Sequence, residues 1–270
     1  VVALLSQHRV SIAIKSHETG YRYLIIRVLD QKAQVTLVAT KHMEDHKLFL
    51  DISQIEGVDG VFLSVNDSRS LDLFGSSIQT VKKNKTLDVT IQGIHLRVSP
   101  RSFMQLNTHV STLMVNEVIH HIKPEEDVVE AYCGVGLMSL MAEKKAKSVF
   151  GFDISKDAIE NAKTSAKVNN CKNVVFKALD AKAGLIEASK RYDDFTLIVD
   201  PPRTGLQQPF IEQVIKSSVS KMIYVSCNPS TLAKDLSLLR QAFHIESIKA
   251  FDMFSHTQHV ETVCVLIRKS

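Results

Sequence analysis

From Ser99 onward the chain alternates short β-branched runs with helical stretches, and this alternation constrains the fold more than any other feature. Strands are expected at Val128–Ala131, Ser148–Asp153, Val174–Ala178, Phe195–Val199 and Met222–Ser226. Between them, helices are expected at Leu137–Lys145, Lys156–Asn169, Pro209–Ser218 and Pro229–Phe243. A further helix precedes the first strand. Asn107 can cap it, its apolar positions Val110, Leu113, Met114, Val118 and Ile122 recur at helical spacing, and Pro124 ends it. Strand–helix–strand units build a mostly parallel sheet, which must be covered by helices on both faces. The tail differs. Ile245–Phe251 and Thr262–Ile267 have no helix between them, so they read as a closing hairpin with one antiparallel strand at or near the sheet edge.

The first part of the chain has another rhythm. Val10–Ile14, Tyr21–Val28, Gln34–Thr40, Val58–Val65 and Ile94–Val98 read as strands joined by polar turns, with one short helix around Glu44–Ile55. Two domains follow from the change of rhythm, a smaller β-rich one at 1–98 and an α/β one at 99–270. The net charge of +4 is spread along the chain with no basic tail, so charge alone is a weak argument for a nucleic-acid partner. No apolar run approaches the roughly 20 residues that span a bilayer, and no signal-peptide pattern opens the chain. The four cysteines, Cys133, Cys171, Cys227 and Cys264, form no Cys-x-x-Cys pair, which suits a reduced, cytoplasmic setting and leaves no cysteine cluster for a metal or an iron–sulfur centre. A first residue of Val rather than Met reads as a piece of a longer protein.

Five segments can carry chemistry. Glu130-Ala131-Tyr132-Cys133-Gly134-Val135-Gly136 follows a strand and opens a helix; its glycines allow a tight turn and close approach of a ligand. Asp153 ends the next strand, where an acid accepts hydrogen bonds from ribose hydroxyls. Ser139 stands in place of a third glycine, which disfavours a pyrophosphate and suits a cofactor without phosphates, such as S-adenosylmethionine. A plain strand-to-helix turn would account for the same glycines. Asp200-Pro201-Pro202-Arg203-Thr204-Gly205 ends the fourth strand with a stiff loop that can hold an acid toward a base edge. In Ser226-Cys227-Asn228-Pro229 a thiol ends a strand just before a helix, where the helix field favours the thiolate; a buried structural cysteine is the bland alternative, and it fits Cys264 well. Glu261 precedes the last apolar strand, where partial burial can raise a carboxyl toward base duty, although taken alone it reads as an ordinary loop carboxylate; His256 and His259 are rival bases, RNA phosphate contacts or plain surface residues. Phe103-Met104-Gln105-Leu106-Asn107 offers an amide, Gln105, to cofactor or base beside the helix cap.

In order and spacing, these motifs resemble the RNA 5-methyluridine methyltransferase family across Phe103–Glu261: Phe103, Gln105 and Asn107; Tyr132 to Gly136; Asp200 to Gly205; Ser226 to Leu232; and Phe254, Thr257, His259 and Glu261. The resemblance implies a Rossmann-like class I methyltransferase domain with a seven-stranded, mostly parallel sheet and an antiparallel final strand. It makes Cys227 the nucleophile and Glu261 the general base. It assigns Gln105, Tyr132, Gly134, Gly136, Asp153, Asp180 and Asp200 to S-adenosylmethionine. It turns Phe103, Asp200, Arg203 and His259 toward RNA, with 23S ribosomal RNA the first choice of target and the transfer-RNA T-loop the second. The segment before Ser99 is similar to the family's central β-rich domain, and the small RNA-binding barrel that opens many members is not among these residues. Leu137 stands where many members are polar, Ser255 where proline is usual, and Asp180 where many have Asn. A cytoplasmic monomer that binds RNA and no membrane is expected. The rival readings are an RNA 5-methylcytosine enzyme, which usually has a second cysteine where Arg203 stands, and a catalytically silent RNA-binding protein on the same fold.

Overall fold

The structure is a computed structural model and describes residues 1–14, 18–68, 72–105, 107–257 and 259–269. The chain divides into two compact units, Val1–Thr90 with Arg97–Ser102, and Ile91–Leu96 with Phe103–Ser270.

In the first unit, α1 (Val2–Gln7) precedes β1 (Tyr21–Leu29) and β2 (Lys32–Ala39), which pair antiparallel. Asp30 and Gln31 join them with positive φ, the twist a two-residue hairpin needs. Helix α2 (His46–Ser53) carries the chain across to β3 (Val58–Val65), parallel to β2, and β4 (Ser77–Lys83) closes the sheet in the order β1-β2-β3-β4. Leu48, Phe49 and Ile52 of α2 bury against Val35, Leu37, Val61 and Leu63. A ribbon of β5 (Leu87–Ile91) and β6 (Ile94–Val98), of which Ile91–Leu96 count with the second unit, turns at Gln92 and Gly93, both of positive φ. One expected strand is corrected: Val10–Ile14 makes only an isolated bridge, Ile12 with Tyr21, because it meets β1 at that strand's first residue alone. Helix α1 and strands β4 and β5 were not foreseen. The alternation in β4 (SIQTVKK) is blurred by polar residues on both faces, and no residue of α1 is fully buried to mark a face.

The second unit runs α3 (Thr108–His120), β7 (Asp127–Ala131), α4 (Leu137–Ala142), β8 (Ser148–Asp153), α5 (Lys156–Val168), β9 (Val174–Ala178), α6 (Ala181–Arg191), β10 (Phe195–Val199), α7 (Gln208–Lys216), β11 (Val219–Ser226), α8 (Pro229–Leu239), β12 (Phe243–Phe251) and β13 (Glu261–Arg268). The sheet order is β12-β13-β11-β10-β7-β8-β9. Only β13 runs against its neighbours, and it sits one place in from the edge strand β12. Alternate residues feed the two faces. Val129, Leu197, Val199 and Tyr224 pack with Leu185, Phe210, Val214 and Leu232 of α6, α7 and α8. Val128, Ile198, Ile223 and Val263 pack with Met114, Val118, Met138 and Ala142 of α3 and α4. Helix α6 was missed because Gly184 lies mid-helix, where glycine usually weakens a helix. Here it is required: a Cβ at that position would lie 2.3 Å from the Phe152 ring.

The order of strands reverses between β7 and β10. Such a switch point opens a crevice at the carboxyl ends of the strands, and every expected site segment of this unit except Phe103–Asn107 begins at or beside such an end. No helix among the described residues is long and apolar enough to cross a membrane.

Candidate active site

At the end of β7 the chain turns sharply. Tyr132, Gly134 and Gly136 all take positive φ (62°, 53° and 83°). The turn's donors are engaged within the protein: Cys133 N–H bonds to the Phe152 carbonyl, Gly136 N–H to the Cys133 carbonyl at 2.8 Å, and Gly134 N–H to Asp153 Oδ2 at 3.0 Å. Those three N–H groups are therefore not aimed at a phosphate. A Cβ on Gly134 would meet nothing within 4 Å, so the turn faces open space, whereas one on Gly136 would lie 2.7 Å from the Phe176 ring.

Acids surround this turn. Asp153 also accepts the Ser155 N–H at 2.8 Å, and Asp180 caps α6 by accepting the Ala183 N–H at 2.9 Å. Glu130, 1% exposed, accepts the Ser139 hydroxyl. Burial pushes its carboxyl up to about 8, the Ser139 bond opposes that shift, and Asp200 and Asp153 add to it. Tyr132 packs edge-on to Phe210, 5.9 Å between ring centres, and burial followed by Asp235, Asp153 and Asp180 raises its hydroxyl to about 12. Asp153 and Asp180, beside this turn, disfavour a phosphate and suit a cation or hydroxyl donors. The residues present thus fit S-adenosylmethionine, whose reactive sulfur is a sulfonium.

The expected nucleophile and base come together through strand register. Ser226 of β11 pairs with Thr262 of β13, and Thr262 Oγ1 donates to the Ser226 carbonyl at 3.2 Å. The ladder ends there, with Cys227 and Glu261 the next residues on the two chains, and the charge of Glu261 acts on the Cys227 thiol. Glu261 is 4% exposed and burial raises its carboxyl, so it is not an ordinary loop carboxylate. Asp200, following β10, is raised to about 7 by burial and then by the charge of Glu261. Asn228 caps α8 by accepting the Ser230 N–H, with Pro229 in the first turn. The expected thiolate is not favoured at Cys227. Burial raises the thiol, Glu261 and Asp200 raise it further, and Arg203 pulls the other way. Desolvation is the largest of these effects. Of the other cysteines, Cys133 and Cys264 are buried.

The remaining residues sit on two loops. Arg203 Nη2 lies 2.9 Å from His259 Nδ1, so the loop after β10 is tied to the loop before β13. His259 also stands edge-on to Phe254 at 6.5 Å, and its N–H bonds to Thr257 Oγ1. Asn107 caps α3 through the Val110 N–H and donates from Nδ2 to the Met253 carbonyl at 3.1 Å, anchoring that second loop. Phe103 is 73% exposed, and no hydrogen bond joins Gln105 to the Cys227–Glu261–Asp200 group among the described residues. Leu106 and Gln258 lie outside the described residues. Sequence reasoning gave no role to Asp235, a buried acid on α8 between Leu232 and Leu239; the available signal was an acid at an apolar position of a helix.

A family model described as tRNA (uracil-5-)-methyltransferase matches residues 3–269. A protein of Streptococcus agalactiae named as an uncharacterized RNA methyltransferase is 31% identical over 100% of this chain and 61% of its own length. Another so named, from Clostridium tetani, is 34% identical over 93% of this chain and 57% of its length. The chain thus spans about three fifths of the curated relatives it matches. Among solved structures, the tRNA (uracil-54, C5)-methyltransferase of Pyrococcus abyssi in complex with S-adenosyl-L-homocysteine superposes with a TM-score of 0.81 at 27% identity, over 98% of this chain and 65% of that one. The tRNA m1G37 methyltransferase of Methanocaldococcus jannaschii, with a TM-score of 0.58 at 14% identity, covers 91% of this chain and 75% of its own and shares the fold.

Proposed function

The chain belongs to the tRNA (uracil-5-)-methyltransferase family, and on that premise we propose that it transfers a methyl group from S-adenosylmethionine to carbon 5 of a uridine in RNA. The observation that carries this reading is that Cys227 and Glu261 directly follow and precede the paired residues Ser226 and Thr262 of β11 and β13, with the charges of Glu261 and Asp200 both acting on the thiol.

Carbon 5 of uracil is a weak nucleophile. Cys227, as thiolate, adds to carbon 6, and the displaced electron pair makes an enolate whose carbon 5 is nucleophilic. When bound, S-adenosylmethionine supplies the electrophilic methyl group. Carbon 5 then carries both the methyl and its original hydrogen. Glu261, as carboxylate, takes that proton; the carbon 5–carbon 6 double bond re-forms and the Cys227 thiolate leaves. Gly134, Gly136, Tyr132, Asp153, Asp180, Asp200 and Gln105 would hold the cofactor, its cation facing acids rather than a phosphate cradle. Asp200, Arg203, His259 and Phe103 would meet the RNA. Burial of Glu261 serves its role, because a raised carboxyl is a stronger base once ionised. The uridine must leave its stack to reach the sulfur, so a single-stranded or flipped nucleotide is the substrate.

The protein is read as a cytoplasmic monomer, with residues 1–98 as its substrate-side domain. The sequence places 23S ribosomal RNA first. The name of the Pyrococcus abyssi relative supports a tRNA uridine equally. Incubating the full-length protein with labelled S-adenosylmethionine and separate ribosomal and transfer RNA, followed by nucleoside analysis, tests both levels. Labelled 5-methyluridine supports the reading, and the RNA that carries it names the target. Labelled 5-methylcytidine, or no transfer to either RNA, contradicts it.

A further inference from the structure

We propose that Asp235 is a positioning residue for this reaction: by gripping the backbone of the Asp200–Leu206 loop, it sets Asp200 and Arg203 against Cys227. The proposal rests on the reading of the site as a methyltransferase centre. Asp235 lies on α8, 1% exposed. Its Oδ2 accepts the Leu206 N–H at 2.7 Å and the Tyr224 hydroxyl at 2.8 Å. The approach is close enough to require glycine next door. Gly205 has φ +78°, and a Cβ there would lie 2.6 Å from Oδ2. Two more side chains of the same helix end hold the other side of the loop: Asn228 Nδ2 and Thr231 Oγ1 both donate to the Arg203 carbonyl, at 3.2 and 3.3 Å. The loop closes on itself through Gly205 N–H to the Pro202 carbonyl at 2.8 Å.

The loop is thus held at the carbonyl of residue 203 and the N–H of residue 206 by the helix that directly follows Cys227. Nucleophile and loop move as one body. Asp200 and Arg203 act on the Cys227 thiol in opposite directions, so a shift of the loop changes both the ionisation of the sulfur and the placement of the groups around it. Misplacing reacting groups by about 1 Å costs about 100-fold in rate.

Three variants test this in the full-length protein. Asp235→Ala removes the grip; Asp235→Asn keeps an oxygen able to accept both hydrogens; Tyr224→Phe removes only the bond to the strand. Each is measured for methyl transfer, for S-adenosylmethionine affinity, and for hydrogen exchange at the Leu206 amide and along β11. Asp235→Ala should lower kcat about 100-fold with cofactor affinity unchanged, and should speed exchange at Leu206 while β11 stays protected. Asp235→Asn should recover most of the rate, and Tyr224→Phe should keep it. The proposal is overturned if Asp235→Ala leaves Leu206 protected, if Leu206 and β11 open together, or if Tyr224→Phe loses as much activity as Asp235→Ala. Should the wild-type protein transfer no methyl group, the functional reading fails, and hydrogen exchange still decides whether the grip exists.

Discussion

At the scale of single residues, the site sets a thiol against two carboxyls that oppose its ionisation. Burial raises Cys227, Glu261 and Asp200 raise it further, and Arg203 is the cation that pulls the other way. In the proposed mechanism the attacking form of Cys227 is the thiolate and the base form of Glu261 is the carboxylate, so both steps require deprotonation. Methyl transfer should therefore quicken as pH climbs through neutrality, and its limb should lie above that of an ordinary thiol. Arg203→Ala removes the stabilising cation and should push this limb higher still, which a pH profile of kcat/KM would reveal; an unmoved limb would disconnect Arg203 from the sulfur. Cys227→Ser should abolish turnover while leaving S-adenosylmethionine affinity nearly unchanged, a pair of outcomes checked by kinetics and calorimetry. A serine variant with wild-type turnover would remove the nucleophile assignment. Burial of Glu261 was only half legible in the sequence: its place before an apolar strand allows burial, but locally it reads as an ordinary loop carboxylate. The raised thiol was not. Its causes are burial first and then the charges of Glu261 and Asp200, which come from residues far apart in the chain.

At the scale of elements, the turn after β7 distinguishes two glycines that look alike in the sequence. Both have positive φ, where a non-glycine residue costs about 1–2 kcal/mol. At Gly136 an added methyl also meets the Phe176 ring at 2.7 Å, while at Gly134 it enters empty space. Gly136→Ala should lower the melting temperature more than Gly134→Ala does. Gly134→Ala should chiefly weaken cofactor affinity if, as proposed, the open space at this turn receives the cofactor. Equal losses of stability, with affinity intact in Gly134→Ala, would place the cofactor elsewhere. The strands of the second unit were readable because parallel strands buried on both faces leave continuous β-branched runs, as in Phe195–Val199. Helix ends were less readable. The expected Pro229–Phe243 stops at Leu239, since Phe243 is the first residue of β12 and Ala242 only closes a turn onto Leu239. Gly184 hid α6 for the opposite reason: a residue that weakens a helix locally was selected by the ring of Phe152 on another strand.

At the scale of the whole molecule, carboxyls gathered at one sheet edge load the folded state. Glu130 ionises at about 8 in the fold against an ordinary 4.5, so the folded chain keeps a proton that the unfolded chain releases. The stability this group contributes is fully present below about 4.5 and is lost as pH rises through about 8. Asp200, raised to about 7, acts in the same direction. Glu130→Gln keeps an acceptor for Ser139 and has no charge to suppress. Its melting temperature should match the wild type near pH 5 and exceed it near pH 8; a constant difference at both would mean that the carboxyl titrates normally. The sequence revealed the architecture and the motif-bearing edge because both follow from local pattern. It hid how α8, the Asp200 loop and β13 interlock, because that depends on tertiary contacts. The central claim is a transient bond between the Cys227 sulfur and carbon 6 of a uridine. Its most direct test is peptide mass spectrometry on full-length Glu261→Gln protein incubated with S-adenosylmethionine and substrate RNA. The account predicts that the peptide containing Cys227 carries a methylated uridine nucleotide that survives denaturation. A bare Cys227 peptide, recovered while 5-methyluridine accumulates in the RNA, would contradict it.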